Sequence, residues 1–355
     1  MMNQPPPLDL ALPYLTEDLE GIGGRIRARA EDFIVEEVSQ YEPSGQGSHL
    51  YVNITRKNQT TRDLQLKLAE LFDLRPQSIG TAGLKDKFAV TTQTFSILFE
   101  KNDKQADDVV TSIRDHLNLK VNWAKFHDKK LRVNHLTGNR FKILITDIRI
   151  PKSQAYERSL RIVEMIHQRG LPNYYGDQRV GKDGKNVREG WSILQGQKRF
   201  KDRWLSRILV SAYSSYLCNR YLAERMRRGL FDHLIPGDIV QNHKTGEHYW
   251  VNDLSADQSR YEAREVSFTA PMFGYKMSKT RGESAALEEE IFEESGMSNK
   301  KYKRMNVIGT RRIGRLTPRI KVSKASRGIQ LSFMLQKGGY ATTLLREFLK
   351  NEQGY

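Results

Sequence analysis

The stretch IGTAGLKDKFAVTTQTFSI, residues 79–97, places an aspartate between two lysines directly before a strand pattern. Phe95 and Ile97 alternate with smaller polar residues, which predicts a strand. The apolar turn before it, residues 81–84, is predicted to be buried and to hold Asp86 at the strand edge. The flanking ammonium groups favour an ionised carboxylate, and small neighbours let a planar substrate approach the backbone. The residues alone fit a charged catalytic group, but an exposed ion-pair cluster in a hairpin turn is the more common origin of such a charge run.

The composition is that of a basic chain with a substantial core. Its 355 residues carry a formal net charge of +16 with a pI near 9.7, and 38% of them are hydrophobic. This length allows one large or two ordinary domains, and we expect two. An excess of cations attracts polyanions, so nucleic acid is the leading partner. A membrane-surface protein would share the charge, but the sequence lacks a basic amphipathic helix and an apolar run near the roughly 20 residues of a membrane span.

Cysteine, histidine and the N-terminus indicate the cellular compartment. Cys218 is the only cysteine, which excludes an intramolecular disulfide, and its helical surroundings predict a core thiol. The eight histidines lack a paired-ligand spacing, so we expect no metal site. The N-terminus is proline-rich and then acidic, unlike a signal peptide. We therefore expect a cytoplasmic protein without a membrane segment.

Apolar periodicity outlines an α+β protein. Strands outnumber helices at both ends of the chain, and several pair through short turns, which predicts a sheet with helices packed on one face. Alternation of Arg25, Arg27 and Arg29 with apolar residues predicts a strand that presents three guanidinium groups to a phosphate or a carboxylate. Other predicted elements are a helix from Thr61 to before Pro76, helices over 101–117 and 153–169, and strands over 121–127, 130–136 and 137–148.

Two segments in the second half of the chain suggest RNA contact. The loop LPNYYGDQRVGKDGKNVREG, residues 171–190, interleaves aromatic and basic side chains, as a stacking surface for RNA requires. A long helix follows, and we expect its basic face to form a phosphate track. The candidate RNA-binding residues are Tyr174, Tyr175, Gln178, Arg179, Arg225, Arg227 and Arg228.

The segment GLKDKFAVTTQ, residues 83–93, resembles the signature G-x-K-D-x-x-A-x-T-x-Q of the TruD family of pseudouridine synthases. The resemblance implies that Asp86 is the catalytic aspartate, with Lys85 beside it in the motif. A second family motif, G-x-I-K-x-x-P-E-D-F-x-V-E, matches the segment from residue 24 and carries a lysine that pairs with that aspartate. Arg27 stands at the lysine position, and Ala30 replaces the usual proline. Charge is kept, although arginine presents a planar fork where lysine presents a point charge.

Further motifs of the family occur in the expected order. G-N-x-F matches Asn139 and Phe141, and the resemblance implies that the phenylalanine stacks on the target base while the asparagine orients the site. By pattern alone, an aromatic residue on a strand such as Phe141 is more often a core residue. The loop 171–190 is similar to P-N-Y-F-G-x-Q-R-F-G, and the C-terminal segment resembles L-x-F-x-L-x-x-G-S-Y-A-T, where Leu335 is expected to floor the base pocket. We expect an archaeal-type member.

The resemblance also implies a domain organisation. It predicts a mixed, mainly antiparallel pseudouridine-synthase sheet flanked by helices, built from residues 21–169 plus 312–355. An inserted α/β TRUD domain would span residues 170–311 and give a V-shaped molecule of two domains. Residues 1–20 are expected to form a flexible arm.

The implied function is that of a tRNA pseudouridine(13) synthase. Such an enzyme breaks the glycosidic bond of a uridine in tRNA, rotates the base and rejoins it through carbon, with no nucleotide, metal or redox cofactor. Asp86 would act as a nucleophile or as a base on the sugar, and the sequence leaves both roles open. We expect a monomer whose partner is tRNA. The alternative is a non-catalytic RNA-binding or chaperone protein on the same scaffold, which would not need to keep Asp86.

Overall fold

A computed structural model of the chain describes residues 6–99 and 105–351. The chain forms two compact units. The sheet unit comprises Glu20–Val163, Pro318–Ala341 and Phe348–Tyr355, and the insert unit comprises Met1–Leu19, Glu164–Thr317 and Thr342–Glu347. The insert is thus somewhat longer at both ends than the predicted 170–311.

The regular elements follow in chain order. The strands are β1 (Phe33–Ser39), β2 (His49–Lys57), β3 (Ile79–Thr81), β4 (Val90–Leu98), β5 (Lys120–His127), β6 (Leu136–Ile145), β7 (Leu171–Pro172), β8 (Ile239–Asn242), β9 (His248–Trp250), β10 (Val266–Met272), β11 (Thr310–Ile313), β12 (Arg315–Leu316), β13 (Ile320–Ala325) and β14 (Gly328–Gln336). The helices are α1 (Thr61–Leu71), α2 (Ala106–Leu117), α3 (Lys152–Arg169), α4 (Asp177–Val180), α5 (Lys185–Gln195), α6 (Arg203–Arg227), α7 (Leu254–Glu262), α8 (Gly282–Glu294), α9 (Asn299–Arg304) and α10 (Ala341–Leu349).

One eight-stranded sheet organises the sheet unit. Its order is β13-β14-β6-β1-β4-β2-β5, and β3 pairs with β4 outside that path. The β1–β4 pair is parallel, and the other pairs described in this sheet are antiparallel. The predicted α+β class with a mixed, mainly antiparallel sheet is confirmed.

Helices α1 and α2 cover one face of this sheet at the β2–β4 region. Leu64 and Leu68 of α1 are fully buried against Val52 and Phe95, so the helical stripe and the strand alternation meet in one core. Helix α1 begins as predicted at Thr61, because Thr60 and Asp63 form a reciprocal capping box at its N-terminus. This cap places the first turn of α1 beside the turn that carries Asp86.

The insert unit has its own sheet and core. Strands β11-β10-β8-β9 form a four-stranded antiparallel sheet, and β7 pairs with β12. The core around α5 and α6 contains the buried rings of Trp191 and Tyr213. Cys218 is fully buried in α6, and burial raises the pKa of its thiol to about 11, which confirms a core thiol.

Two predicted features differ from the structure, and a third lies partly outside the described residues. Residues 25–29 do not form a strand: Arg25 makes one isolated bridge to Thr146, and Arg27 adopts a left-handed backbone with a φ of 59°. Residues 130–135 are irregular with a turn at Val133 and Asn134, and the strand begins only at Leu136. Helix α2 begins at Ala106, and residues 101–104 of the predicted helix lie outside the described residues.

The N-terminal arm also differs from its prediction. Residues 6–19 belong to the insert unit, and Leu15 and Thr16 are buried there. The Glu347 carboxylate accepts hydrogen bonds from both backbone amides and from the Thr16 hydroxyl, at 3.3, 3.0 and 2.8 Å. The arm is therefore packed rather than flexible over its described part, and residues 1–5 lie outside that part.

Candidate active site

The Asp86 carboxylate pairs with the Arg27 guanidinium in the sheet unit. Their Oδ1 and Nη2 atoms are 3.3 Å apart, and the two side chains are 36% and 18% exposed respectively. The left-handed turn at Arg27 directs the chain from its bridge with Thr146 into β1. Arg27 Cζ also lies 4.1 Å from the centroid of the Phe33 ring, a cation–π distance. The pairing of the two motifs implied by the resemblance is present in the structure.

A buried ion pair fixes the residue before Asp86. Lys85 Nζ lies 2.6 Å from Glu37 Oε2, and both side chains are almost completely buried. The sequence prediction that Lys85 flanks the Asp86 carboxylate is therefore wrong, because its ammonium group points to β1. Glu37 was not among the predicted site residues, although it occupies an inward position of β1 with Phe33 and Val35.

A polar network joins this pair to α1. Gln93 Nε2 donates to Glu37 Oε2 at 3.3 Å and to the Gly83 carbonyl at 2.7 Å. The Thr61 hydroxyl accepts from the Lys85 amide at 2.9 Å and donates to Gln93 Oε1 at 3.0 Å. A buried charge or amide without a hydrogen-bond partner lowers the stability of the fold. Because each group of this network has such a partner only in this arrangement, the network fixes the backbone of residues 83–86.

Arg56 completes the network from β2. Its Nη2 donates to the Thr61 hydroxyl and to Gln93 Oε1, each at 3.0 Å. Burial lowers the pKa of the Arg56 guanidinium to about 10, while the negative charge of Glu37 opposes that shift. The turn carrying Asp86 is thus anchored to β1, β2, β4 and α1.

Aromatic rings line the same face of the sheet. Phe141 on β6 stacks on Phe333 of β14 with ring centroids 5.2 Å apart, and it meets Phe33 edge-on at 6.4 Å. Phe141 is only 8% exposed. Arg27 touches the Phe33 ring and Asp86, so it connects the carboxylate to this aromatic cluster.

Asn139 and Leu335 lie in one cross-strand row with Glu37. The register pairs Asn139 with Glu37 on one side and with Leu335 on the other. Asn139 Oδ1 is buried and has no hydrogen-bond partner among the described residues, which is unusual for a native amide and leaves an acceptor for a ligand. Gly138 is required here, since a Cβ atom would lie 2.1 Å from the Leu335 carbonyl oxygen. Leu335 itself is buried.

Two apolar side chains beside Asp86 are strongly exposed. Leu84 is 78% exposed and Phe88 is 66% exposed. The prediction of a buried turn over 81–84 is therefore wrong at Leu84. Large apolar groups exposed next to a partly exposed carboxylate mark a contact surface rather than a core.

Two predicted RNA-binding residues of the insert unit are buried. Tyr174 is inaccessible and its ring lies under the Arg346 guanidinium. Arg225 is inaccessible as well, with Nη1 2.9 Å from Asp238 Oδ1 and Nη2 donating to the His233 carbonyl at 2.8 Å. Neither side chain is accessible at the surface of the insert unit, so burial argues against a direct RNA contact by either residue.

The other predicted RNA-binding side chains reach the surface of the insert unit. Arg227 pairs with Asp9 at 2.7 Å, and Arg228 pairs with Glu224 at 2.6 Å and with Glu290 at 2.5 Å. Those acids neutralise much of the predicted phosphate track. Tyr175 is half-buried, with Arg312 Cζ 4.0 Å from its ring centroid.

The loop 171–190 is held against α6. Arg179 donates to the hydroxyls of Ser211 and Ser215, whereas Gln178 is exposed. Of the residues predicted in this loop, Tyr175, Gln178 and Arg179 are thus placed where a ligand could meet them.

Within residues 6–99 and 105–351, no group of three or more His, Cys, Asp or Glu side chains is arranged to hold a metal ion. In the same residues no helix is both long and apolar enough to cross a lipid bilayer.

Comparison with known proteins gives consistent matches over most of the chain. The sequence profile described as tRNA pseudouridine synthase D (TruD) matches residues 9–199 and 198–348. The chain is 39% identical to a tRNA pseudouridine synthase D of Thermus thermophilus over 341 residues, covering 96% of this chain and 92% of that protein. It is 36% identical to the protein of the same description from Anaeromyxobacter dehalogenans, covering 96% and 97%.

The fold has a counterpart among solved structures. A crystal structure described as a putative tRNA pseudouridine synthase D (TruD) from Methanosarcina mazei matches with a TM-score of 0.76 and 25% identity, covering 97% of this chain and 96% of that one. These organisms are diverse, and the archaeal type stays a prediction.

Proposed function

Because the chain belongs to the TruD family of tRNA pseudouridine synthases, we propose that Asp86 is the catalytic carboxylate with which it converts a uridine of tRNA to pseudouridine. One observation carries this assignment. Asp86 combines partial exposure with a cationic partner at 3.3 Å, whereas the neighbouring Glu37 is buried against Lys85. A reacting carboxylate must reach its substrate, and only Asp86 of these two does so.

The chemistry places simple demands on the site. The N1–C1′ bond of uridine breaks and a C5–C1′ bond forms, while C5 loses a proton and N1 ends protonated. The product is an isomer of the substrate, so no electron or group is transferred overall, and we propose that no nucleotide, metal or redox cofactor takes part. Asp86 serves either as a nucleophile or as a base on the sugar, and the ionised form is needed in both roles.

The neighbouring residues supply binding and orientation. Phe141 and its partner Phe333 offer an apolar wall for the uracil ring, since stacking on an aromatic stabilises an extruded base by about 1–3 kcal/mol. The unsatisfied Asn139 Oδ1 accepts a hydrogen bond from the base edge or from a neighbouring group. Arg27 compensates the charge of Asp86, and its guanidinium group is itself held over the Phe33 ring.

The exposed turn around Asp86 has a proposed role in extruding the target nucleotide. Taking a base out of a stack costs a few kcal/mol, which contacts with the remaining RNA must offset. Leu84 and Phe88 flank Asp86 and project apolar surface where RNA would approach. We assign them to packing against the bases next to the extruded one.

The remaining details are proposals from the family resemblance. The modified uridine is at position 13 of tRNA, and the enzyme works as a cytoplasmic monomer. The loop residues Tyr175, Gln178 and Arg179 contact the RNA.

The test is Asp86→Asn, which removes the negative charge and keeps the volume. Tritium release from uridine labelled at C5 should be abolished, while tRNA affinity stays within about threefold, because the change affects the chemical step. Glu36→Gln is the matched control: this carboxylate lies on the adjacent strand β1, is exposed, and pairs with Arg140 at 3.6 Å. Residual turnover of Asp86→Asn within about tenfold of the parent would remove Asp86 from the catalytic role.

A further inference from the structure

The insert unit contains a cavity of about 790 Å³ that the proposed reaction does not use. Its lining residues all fall between Ile193 and Thr310. They lie on α5 and the loop after it, on α6, at the end of β10 and on the segment from α9 to β11. The volume is within the range of small-molecule sites. We propose that this cavity binds an unpaired nucleotide of the RNA substrate, with the base on an apolar floor and the phosphates on an arginine rim.

The floor is apolar and continuous with the core. Ile193, Val210 and Phe273 are buried members of the insert core, and Met272 and Val307 extend the same surface. The Met272 sulfur accepts a hydrogen bond from the Tyr175 hydroxyl at 3.4 Å. An apolar floor of this kind suits the face of a nucleobase and disfavours a bare inorganic anion.

Three arginines on the rim have no protein partner. Arg199, Arg203 and Arg207 are exposed, and no hydrogen bond, ion pair or ring contact engages them among the described residues. Arg203 and Arg207 lie one helical turn apart on α6, so their guanidinium groups project from the same side. This contrasts with Arg227 and Arg228 at the C-terminal end of the same helix, which are paired with acids.

No acidic side chain of the described residues lines the cavity. The two remaining cations are engaged locally, because Lys198 pairs with Glu189 and Arg304 donates to the Leu194 carbonyl. Asp202 lies next to Arg203, but its carboxylate caps α6 by accepting from the Trp204 and Leu205 amides. An apolar floor below three unpaired guanidinium groups is complementary to an anion that has a flat apolar part, which is the chemistry of a nucleotide.

The cavity is continuous with the loop predicted to contact RNA. Arg179 of that loop donates to the Ser211 hydroxyl, and Ser211 is part of the cavity wall. A strand of RNA that meets Tyr175 and Arg179 would therefore lead directly to the arginine rim. This inference rests on RNA being the substrate and is independent of the role of Asp86.

The first experiment replaces Arg199, Arg203 and Arg207 with alanine in the full chain. The slope of log affinity for tRNA against log salt should become shallower by about 2, since each lost phosphate contact removes about 0.7–0.9. KM should rise while kcat at saturating tRNA stays within about twofold. The matched control is the triple alanine variant of Arg220, Arg227 and Arg228, whose guanidinium groups are paired with acids and should change the slope by less than about 1.

A second variant tests the floor without altering charge. Val307→Trp fills the cavity, so it should weaken tRNA binding by about tenfold while leaving the salt slope unchanged. Titration with uridine and adenosine monophosphates distinguishes RNA from a free nucleotide. The proposal is supported if the parent protein binds mononucleotides weakly and the arginine variant loses this binding. The arginine variant should also bind tRNA less tightly than the parent.

Any one of three results would overturn the inference. The first is an unchanged salt slope in the folded arginine variant, and the second is undiminished tRNA affinity in Val307→Trp. The third is an arginine variant that loses mononucleotide binding but keeps the tRNA affinity of the parent. Repeating the titrations with Asp86→Asn protein separates the two assignments, because binding is then measured without turnover.

Discussion

At the scale of single residues, Arg27 combines several unusual features. It combines a left-handed backbone, a ring contact with Phe33 and an ion pair with Asp86. Its Nε atom is also buried without a hydrogen-bond partner among the described residues. Unfavourable features that persist at one position are typical of functional sites, where the surrounding structure over-determines them. The contacts of Arg27 depend on a planar guanidinium group, which a lysine of the same charge would not reproduce.

We predict that Arg27→Lys retains part of the activity, whereas Arg27→Ala loses most of it. Lysine restores the charge but not the planar contact with the ring, so turnover should fall by about tenfold, and the alanine variant should lose a factor of about 100–1,000. Filter binding should show unchanged tRNA affinity in both. Arg29→Ala is the control, because that side chain is exposed and makes no contact with Asp86. Weaker binding with normal turnover at saturating tRNA would instead make Arg27 a phosphate contact.

At the scale of elements, the Glu37–Lys85 pair joins β1 to the turn before β4. These two strands pair in parallel within the large sheet, and the Asp86 turn lies beside them. Both charges are almost entirely out of water, and the Thr94 amide and Gln93 add hydrogen bonds to the same carboxylate. Removing one member leaves the other buried and unpaired, which costs far more than the intact pair contributes.

We predict that Lys85→Met lowers the free energy of unfolding by about 3–5 kcal/mol, as the loss of one partner of a buried pair does. The double variant Glu37→Gln/Lys85→Met should recover most of that loss, because no unpaired charge remains. Urea denaturation of the parent, both single variants and the double variant measures the difference. Equal destabilisation in the single and double variants would show that Lys85 acts through its packing.

The sequence predicted the strands and the turn that carries Asp86 better than it predicted which charged side chains form ion pairs with each other. Alternation placed Phe95 and Ile97 in a buried strand, and the motif marked the turn before it. The direction of Lys85 depends on Glu37, which is 48 residues away, and local periodicity carries no such information. For the same reason Arg225 was mistaken for a surface residue, since Asp238 buries it from outside the helix.

At the scale of the whole molecule, only some of the cations behind the net charge of +16 are accessible to a polyanion. Arg225 and Arg311 are buried in ion pairs of the insert unit with Asp238 and Glu288. Net charge therefore predicts attraction to RNA, but only the exposed and unpaired cations set its strength and salt dependence. Burial and pairing, which need the fold, decide which cations those are.

We predict that Arg225→Ala destabilises the protein without weakening its electrostatic attraction to tRNA. The change leaves Asp238 buried and unpaired, so the free energy of unfolding should drop by about 3–5 kcal/mol. The salt dependence of tRNA affinity should stay the same, because this guanidinium group is buried and already paired with Asp238. Thermal denaturation and tRNA titration at several salt concentrations test both parts. A shallower slope in the folded variant would return Arg225 to the RNA-binding surface.

The strand order of the large sheet has a consequence for biosynthesis. β6 pairs with β1, made earlier, and with β14, made later, and residues 146–327 separate β6 from β14. At translation rates of about 5–20 residues per second, the outer edge of β6 waits roughly 10–40 s on the ribosome for its partner. During that interval a nascent chain displays an unpaired edge that bears Phe141, Ile143 and Ile145, which is the type of surface that chaperones protect.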